Sequence, residues 1–293
     1  MTPQFNTFSI VAYDPAEKAW GIAVASKFLA AGAVVSWARA GAGAVATQAL
    51  AKVSFGPDGL DLMARGKSAQ ETLDALLARD KDASHRQVGM VDANGGAAAH
   101  TGTDCLHWAG HRIGDGFTCQ GNILTGPETL DAMAGTFTST NGELADRLLA
   151  ALLAGDMIGG DSRGKQSAAV TVVRPNGGYG GDNDRYLDLR VDDDPEPVQR
   201  LAGLVAAHHI FFGDSDGADK VPITGDVARD LKRMLRAGGY ISGAIDDVWD
   251  AAAIQAFWKL VGNENLEERW HIDGDTGLID RVALDYLRSR FPA

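Results

Sequence analysis

Hydrophobic and polar positions along the chain fall into runs whose period changes several times. Residues 7–13 and 20–25 are apolar, β-favouring runs separated by a turn at Asp14-Pro15, so the chain opens with a hairpin. Residues 33–39 and 42–47 read as a second pair of strands, punctuated by Gly41 and Gly43. All four runs are continuously apolar rather than alternating, which predicts strands covered on both faces. Residues 58–65 then switch to helical spacing, and Ser68-x-x-Glu71 is a capping-box signature opening a second helix with Leu73, Leu76 and Leu77 on one side. Strands return at 87–92 and 97–101 about an Asn94-Gly95 turn, and again at 107–113 and 117–123.

Helical spacing resumes over 127–137 and 141–154, the latter with Leu144, Leu148, Leu149 and Leu152. A strongly apolar strand over 167–174, a neighbour over 185–191 and a helix over 197–212 follow. Strands and helices in segregated runs predict stacked layers of sheet and helix, an α+β domain, rather than a βαβ series. The polar, Gly-containing segment 214–220 (DSDGADK) reads as a linker. It divides a domain of residues 1–213 from one of residues 221–293, where helices are expected over 226–235, 250–260 and 278–288.

Composition narrows the classes of function. A chain of 293 residues with 45% hydrophobic and 23% charged residues buries a core without disulfides or metals. Its net charge of −12 argues against a nucleic-acid partner, which needs clustered Lys and Arg, and against an anionic membrane surface. Two cysteines, Cys105 and Cys119, are too few for a secreted disulfide framework and are expected as thiols. No signal peptide or membrane-spanning run is legible, so the expected compartment is the cytoplasm.

The element order resembles that of the N-terminal-nucleophile (Ntn) hydrolases, as in proteasome β-subunits, where two antiparallel sheets lie between helix layers. More specifically, WGIAVASKFLAAGAVVSWARAGAGAVATQA, CQGNIL, GGDSRGKQSAAV and DRYLDLRVDDDP resemble the bacterial domain-of-unknown-function family 1028 over about the first 210 residues. The resemblance implies a four-layer αββα sandwich and supplies chemistry only by analogy. Separately, VARDLKRMLRAGGYISGAIDDVWDAAAIQAFWKL resembles a peptidoglycan-binding-like domain, a small all-α bundle. Gly239, Tyr240, Gly243, Ala256 and Phe257 match its pattern, whereas Asp247 and Trp258 depart from it.

In Ntn hydrolases a Thr, Ser or Cys heads the first strand of the mature chain. Its own α-amine, with a pKa near 8, serves as the base. Thr7 is the matching position, with Ser9 further along the same face; residues 1–6 precede it and would have to be removed. Ser26 and Lys27 follow the second strand, on opposite faces if that strand continues. Thr47 and Gln48 end the small GAGAVA run, where close-approaching backbone N–H groups suit an oxyanion site and equally suit tight sheet packing. Asn122 and the loop residues Asp161, Arg163, Gln166 and Ser167 are candidate substrate ligands, with Arg163 holding a carboxylate and Asp161 orienting it.

Other patterns carry less. His107 and His111 lie in a strand without a third zinc ligand, 192–194 and 273–277 lack a full calcium loop, and 110–116 lacks the setting of a phosphate loop. No cofactor or metal is expected. The expected function is hydrolysis of an amide, imide or related C–N bond in a small molecule or short peptide. The rivals are a non-catalytic binding protein on the same scaffold and a cell-wall-associated protein. Trp249, Phe257, Trp258 and Trp270 serve either the core of the C-terminal bundle or an exposed patch; the latter predicts a homo-oligomer, or docking of this module onto the first domain.

Overall fold

The computed structural model describes residues 7–213 and 219–292. Residues 214–218 of the expected linker, and residues 1–6, lie outside the described residues. The chain forms two compact units, divided after Val205.

The first unit runs β1 (Thr7–Asp14), β2 (Ala19–Ser26), α1 (Ala31–Val35), β3 (Ser36–Arg39), β4 (Gly43–Ala49), α2 (Phe55–Ala64), α3 (Ala69–Leu77), β5 (Arg86–Asp92), β6 (Ala97–Thr101), β7 (Gly110–Gly114), β8 (Phe117–Asn122), α4 (Glu128–Ser139), α5 (Leu144–Met157), β9 (Ser167–Val173) and β10 (Arg185–Val191). The unit boundary falls inside α6 (Pro197–Phe212). Antiparallel pairing gives a six-stranded sheet, β10-β9-β2-β1-β8-β7, and a four-stranded sheet, β3-β4-β5-β6. The capping box forms as the sequence predicts: Ser68 accepts from the Glu71 amide at 3.2 Å and Glu71 reaches back to the Ser68 amide at 2.9 Å.

Three apolar clusters define four layers. Phe8, Ile10, Ala23, Cys119, Val170 and Val172 pack under Leu130, Met133, Leu144, Leu148 and Leu152 of α4 and α5. Val45, Val88, Met90 and Ala98 pack under Phe55, Leu60, Met63, Leu73 and Leu76 of α2 and α3. Between the sheets lie Val11, Trp20, Ile22, Val24, Ala44, Ala46, Val91 and Ala169. Both faces of the central strands are covered, which is why their sequences show no alternation.

One strand expectation is corrected. Residues 33–35 belong to the single-turn α1 rather than to a strand over 33–39. Ala30, at φ 52°, turns the chain, and the small residues that follow let this turn lie against β9. A Cβ on Gly32 would come 2.3 Å from Ala169 Cβ.

The second unit contains β11 (Lys220–Pro222), α7 (Gly225–Ala237), α8 (Ala251–Asn263), β12 (Leu278–Asp280) and α9 (Arg281–Arg290). It is helical as expected, with the addition of a two-stranded β11–β12 sheet that takes up the start of the segment expected as its last helix. Asp280 caps α9 by accepting from the Val282 amide at 2.9 Å, and its second oxygen takes a buried Arg269 at 2.9 Å. Phe257 and Trp270 are buried, and Trp249 and Trp258 pack against the same core, where Trp249 donates to Thr276 O at 2.9 Å. All four rings therefore contribute to the core of this unit, Trp249 and Trp258 from half-buried positions. No helix among the described residues is long and apolar enough to cross a membrane.

Candidate active site

The space between the sheets is apolar at one end and polar at the other. β1, β5, β7 and β9 begin at the polar end, and β2, β4, β6 and β8 finish there. Strand parity decides which side chains enter it. In β1, Phe8 and Ile10 turn to the helices, so Thr7 and Ser9 turn inward. In β2 the same rule sends Ser26 inward. Thr7 Oγ1 and Ser26 Oγ lie 3.1 Å apart, both residues buried.

Beyond that pair, side chains from both sheets form a chain of hydrogen bonds. Gln120 Nε2 donates to Ser9 Oγ at 2.7 Å, and Ser9 Oγ donates to Gln48 Oε1 at 2.7 Å. Gln48 Nε2 donates to Gln87 Oε1 at 2.8 Å and to the Thr7 carbonyl at 3.2 Å. Asn122 Nδ2 also donates to Gln87 Oε1, at 3.0 Å. Gln87 Nε2 continues to Thr101 Oγ1 at 3.0 Å, which lies 2.9 Å from His111 Nδ1. Burial, then the charges of His100 and Arg112, lowers the His111 pKa, so this imidazole is neutral at physiological pH. Neutral amides and hydroxyls fit such a space because they avoid the desolvation cost of a buried charge, and most find a partner, although the buried Gln120 Oε1 and Thr118 Oγ1 have none.

Charged residues stand just outside Ser26. Asp161, itself buried, accepts from the Lys27 amide at 2.7 Å and the Arg163 amide at 2.9 Å, and it pairs with the Arg163 guanidinium at 3.2 Å. The expected Arg163–Asp161 partnership is thus present. Lys27 itself is exposed, and its ammonium donates to Lys165 O at 3.1 Å. β2 ends at Ser26, so Lys27 stands in the bend that follows rather than in the strand. Ser167 Oγ donates to Phe28 O at 2.6 Å and accepts from the Ala31 amide at 3.0 Å, holding the loop after β2 in place. The Gln166 amide nitrogen of the backbone donates to Ser26 O at 3.1 Å, and its side chain to Asp193 at 3.0 Å.

Two strained residues mark the same end. Ala49, at φ 67°, ends β4, and Ile123, at φ 52°, follows β8; both line one shallow hollow with Leu50, His85, Cys105 and Leu106. A β-branched residue in the left-handed region is a conformation that persists only where surrounding structure imposes it. Asn122, the register partner of Thr7, opens onto this hollow. Burial pushes the Cys105 thiol pKa up, so it is no thiolate at neutral pH. Cys119 is fully buried and pushed up further, consistent with a small core residue.

The structure does not bring every candidate together. Thr47 faces the opposite side of its sheet, where its hydroxyl donates to Lys52 O at 3.2 Å, because Val45 and Thr47 share the helix-facing parity and Ala46 and Gln48 the inward one. Its side chain is therefore outside the polar space between the sheets. Ser9 is inward but completely buried, with its proton given to an amide and no base beside it, which suits a structural bond rather than a nucleophile. Gln48 spends both of its amide atoms on protein partners, and Asn122 gives its Nδ2 to Gln87. Gln87, Gln120 and Thr101 were missed by sequence reasoning. Their signal is a polar, uncharged residue at alternate positions of an apolar strand, as in Thr118-Cys119-Gln120-Gly121-Asn122.

Two antiparallel sheets between helix pairs, with a buried polar network at the strand ends, define the first unit as an α+β sandwich. The chain belongs to the family of unknown function DUF1028, which matches residues 7–201. Residues 212–287 match the family described as "Putative peptidoglycan binding domain". A crystal structure of a DUF1028 protein from Silicibacter pomeroyi is similar, with 29% identity, a TM-score of 0.64, and coverage of 76% of this chain and 89% of that chain. No curated protein matches the chain.

Proposed function

We propose that the first unit is an Ntn-type hydrolase of an amide, imide or related C–N bond in a small molecule or short peptide, with Thr7 as nucleophile once residues 1–6 are removed. The placement of Thr7 carries this reading: it heads a central strand, faces the polar recess, and has its hydroxyl 3.1 Å from Ser26 Oγ. A free amine on Thr7 has a pKa near 8 and adjoins the hydroxyl it must deprotonate. The amine takes the hydroxyl proton as Oγ1 forms a bond to the substrate carbonyl carbon. That proton passes to the leaving nitrogen as the C–N bond breaks, leaving an ester on Thr7. Water then attacks the ester, the acid departs, and Oγ1 regains a proton. Ser26 orients Oγ1, Gln48 holds the Thr7 carbonyl, and Arg163, fixed by Asp161, receives a substrate carboxylate.

Intact-mass measurement followed by treatment with a β-lactone electrophile tests the proposal. The expected result is a chain lacking residues 1–6 that gains one adduct at Thr7, lost in Thr7→Ala. A chain that retains residues 1–6 and takes no adduct at Thr7 would falsify it. A second reading, cell-wall association, is favoured by the match over residues 212–287 and concerns the second unit.

A further inference from the structure

Three Asn-Gly steps begin with an exposed Asn: Asn94-Gly95, Asn141-Gly142 and Asn176-Gly177. Glycine after Asn leaves the next backbone nitrogen least hindered in attacking the side-chain amide carbon, because it adds no Cβ beside that nitrogen. By sequence the three steps rank equally. The structure separates them by what each glycine nitrogen is bound to.

In the β5–β6 turn, Gly95 N donates to Asp92 O at 3.2 Å, and Asn94 N donates to Asp92 Oδ1 at 2.9 Å. In the turn after β9, Gly177 N donates to Arg174 O at 3.0 Å, and Asn176 N donates to Asp184 Oδ1 at 3.0 Å. Both steps are clamped at the two nitrogens that flank the bonds which must rotate. Asn141 and Gly142 form the connector between α4, whose C-cap is Thr140, and α5, whose N-cap is Glu143. Both are exposed, and among the described residues neither backbone nitrogen nor the Asn141 side chain has a hydrogen-bond partner. Gly142 sits at φ 115°, and chain neighbours aside, a Cβ there would have only Asp146 Oδ2, at 3.8 Å, within 4 Å. The joint therefore has an unspent nucleophilic nitrogen and room to turn.

We propose that Asn141 is a site of spontaneous deamidation, with water as the only co-reactant. Gly142 N forms a bond to Asn141 Cγ, and its proton leaves with Nδ2 as ammonia when the Cγ–Nδ2 bond breaks. Water then opens the resulting five-membered imide at one of its two carbonyls. One opening gives aspartate. The other gives isoaspartate, in which the main chain runs through Cγ and the former backbone carbonyl becomes the free carboxylate. Either product places a negative charge at the start of α5, where the helix dipole favours it, so the fold does not oppose the change. This joint lies at the end of the sandwich where Glu17, in the turn after β1, accepts from Leu144 N at 2.8 Å, whereas Thr7 begins that strand at the other end. The modification is independent of any chemistry at Thr7.

Incubation of the full chain at mildly alkaline pH, followed by peptide mapping by mass spectrometry, tests it. Isoaspartate is read separately, by methyl transfer from S-adenosylmethionine with a protein isoaspartyl methyltransferase. Conversion at Asn141 should be at least about tenfold faster than at Asn94 or Asn176, which must first break backbone hydrogen bonds. It should also run close to the rate of a free peptide spanning residues 138–144. Asn141→Gln, whose amide would have to close a larger ring, should lose most of the methyl acceptance. Conversion of Asn94 or Asn176 as fast as Asn141 overturns the proposal. So does an Asn141 that stays intact while the free peptide is consumed, or an Asn141→Gln chain that accepts methyl groups like the parent.

Discussion

Gln120 lies across the bare Cα of Gly89: a Cβ at position 89 would come 1.9 Å from Gln120 Oε1 and 2.5 Å from Thr118 Oγ1. The two residues belong to different sheets, so this contact sets the spacing of the layers at the edge of the polar recess. Gln120 cannot swing away cheaply, because it is completely buried and its amide nitrogen is bound to Ser9. Gly89→Ala should therefore destabilise the first unit by about 1–3 kcal/mol, the usual cost of overpacking. Urea denaturation checks this, and an unshifted midpoint would show the sheets to be more pliable than argued.

Gln48 bridges the two sheets through Ser9, Gln87 and the Thr7 carbonyl. Gln48→Leu keeps the volume and strips these partners, so the predicted loss is about 3 kcal/mol, set by buried polar atoms left unpaired. Gln48→Glu should do no better near neutral pH, since a buried carboxylate faces the Gln87 carbonyl oxygen. Recovery of Gln48→Glu stability on acidification, measured by thermal unfolding, is the accompanying signature.

Asp80 and Arg86 form a charge-assisted pair at 2.7 Å, and Arg86 also donates to Leu50 O at 2.5 Å at the end of β4. The Arg86 hydrogen bond lowers the Asp80 pKa from 3.8 to about 2. A depressed carboxylate stabilises the fold above its unfolded pKa and loses that contribution as pH falls through the folded value. Asp80 should thus contribute about 1 kcal/mol at neutral pH after solvent screening, lost between about pH 4 and pH 2. Asp80→Asn should flatten that part of the stability profile, and an unchanged acid limb would contradict the assignment.

Thr47→Val should cost less than about 1.5 kcal/mol, the net value of one hydroxyl–carbonyl hydrogen bond. It should also leave β-lactone labelling of Thr7 intact, because its side chain lies on the other face of the sheet. Loss of labelling in a stably folded Thr47→Val chain would restore Thr47 to the site.

Much of the fold was readable along the chain because its signals are local. The change from apolar strand runs to helical spacing, the Ser68–Glu71 capping box and the Asn94-Gly95 turn each depend on residues within a few positions of one another. The segregated order of strands and helices then implied stacked layers, and Thr7, Ser26, Asp161 and Arg163 were legible as polar residues at strand ends.

Facing was not readable, because strands covered on both sides carry no alternation to say which residues point inward. Thr47 and Gln48 are adjacent, polar and equally placed in the sequence, yet only long-range pairing of β4 with β5 and packing against β1 send Gln48 into the recess and Thr47 to the helices. Gln87, Gln120, Asn122 and Thr101 likewise meet only when four strands from two sheets come into register. The sequence determined by itself most of the strand and helix segments and which family they build, but not the α1 turn or the β11–β12 pair. Tertiary structure alone decided which amides share a buried space, since a hydrogen bond between residues tens of positions apart has no counterpart in local periodicity.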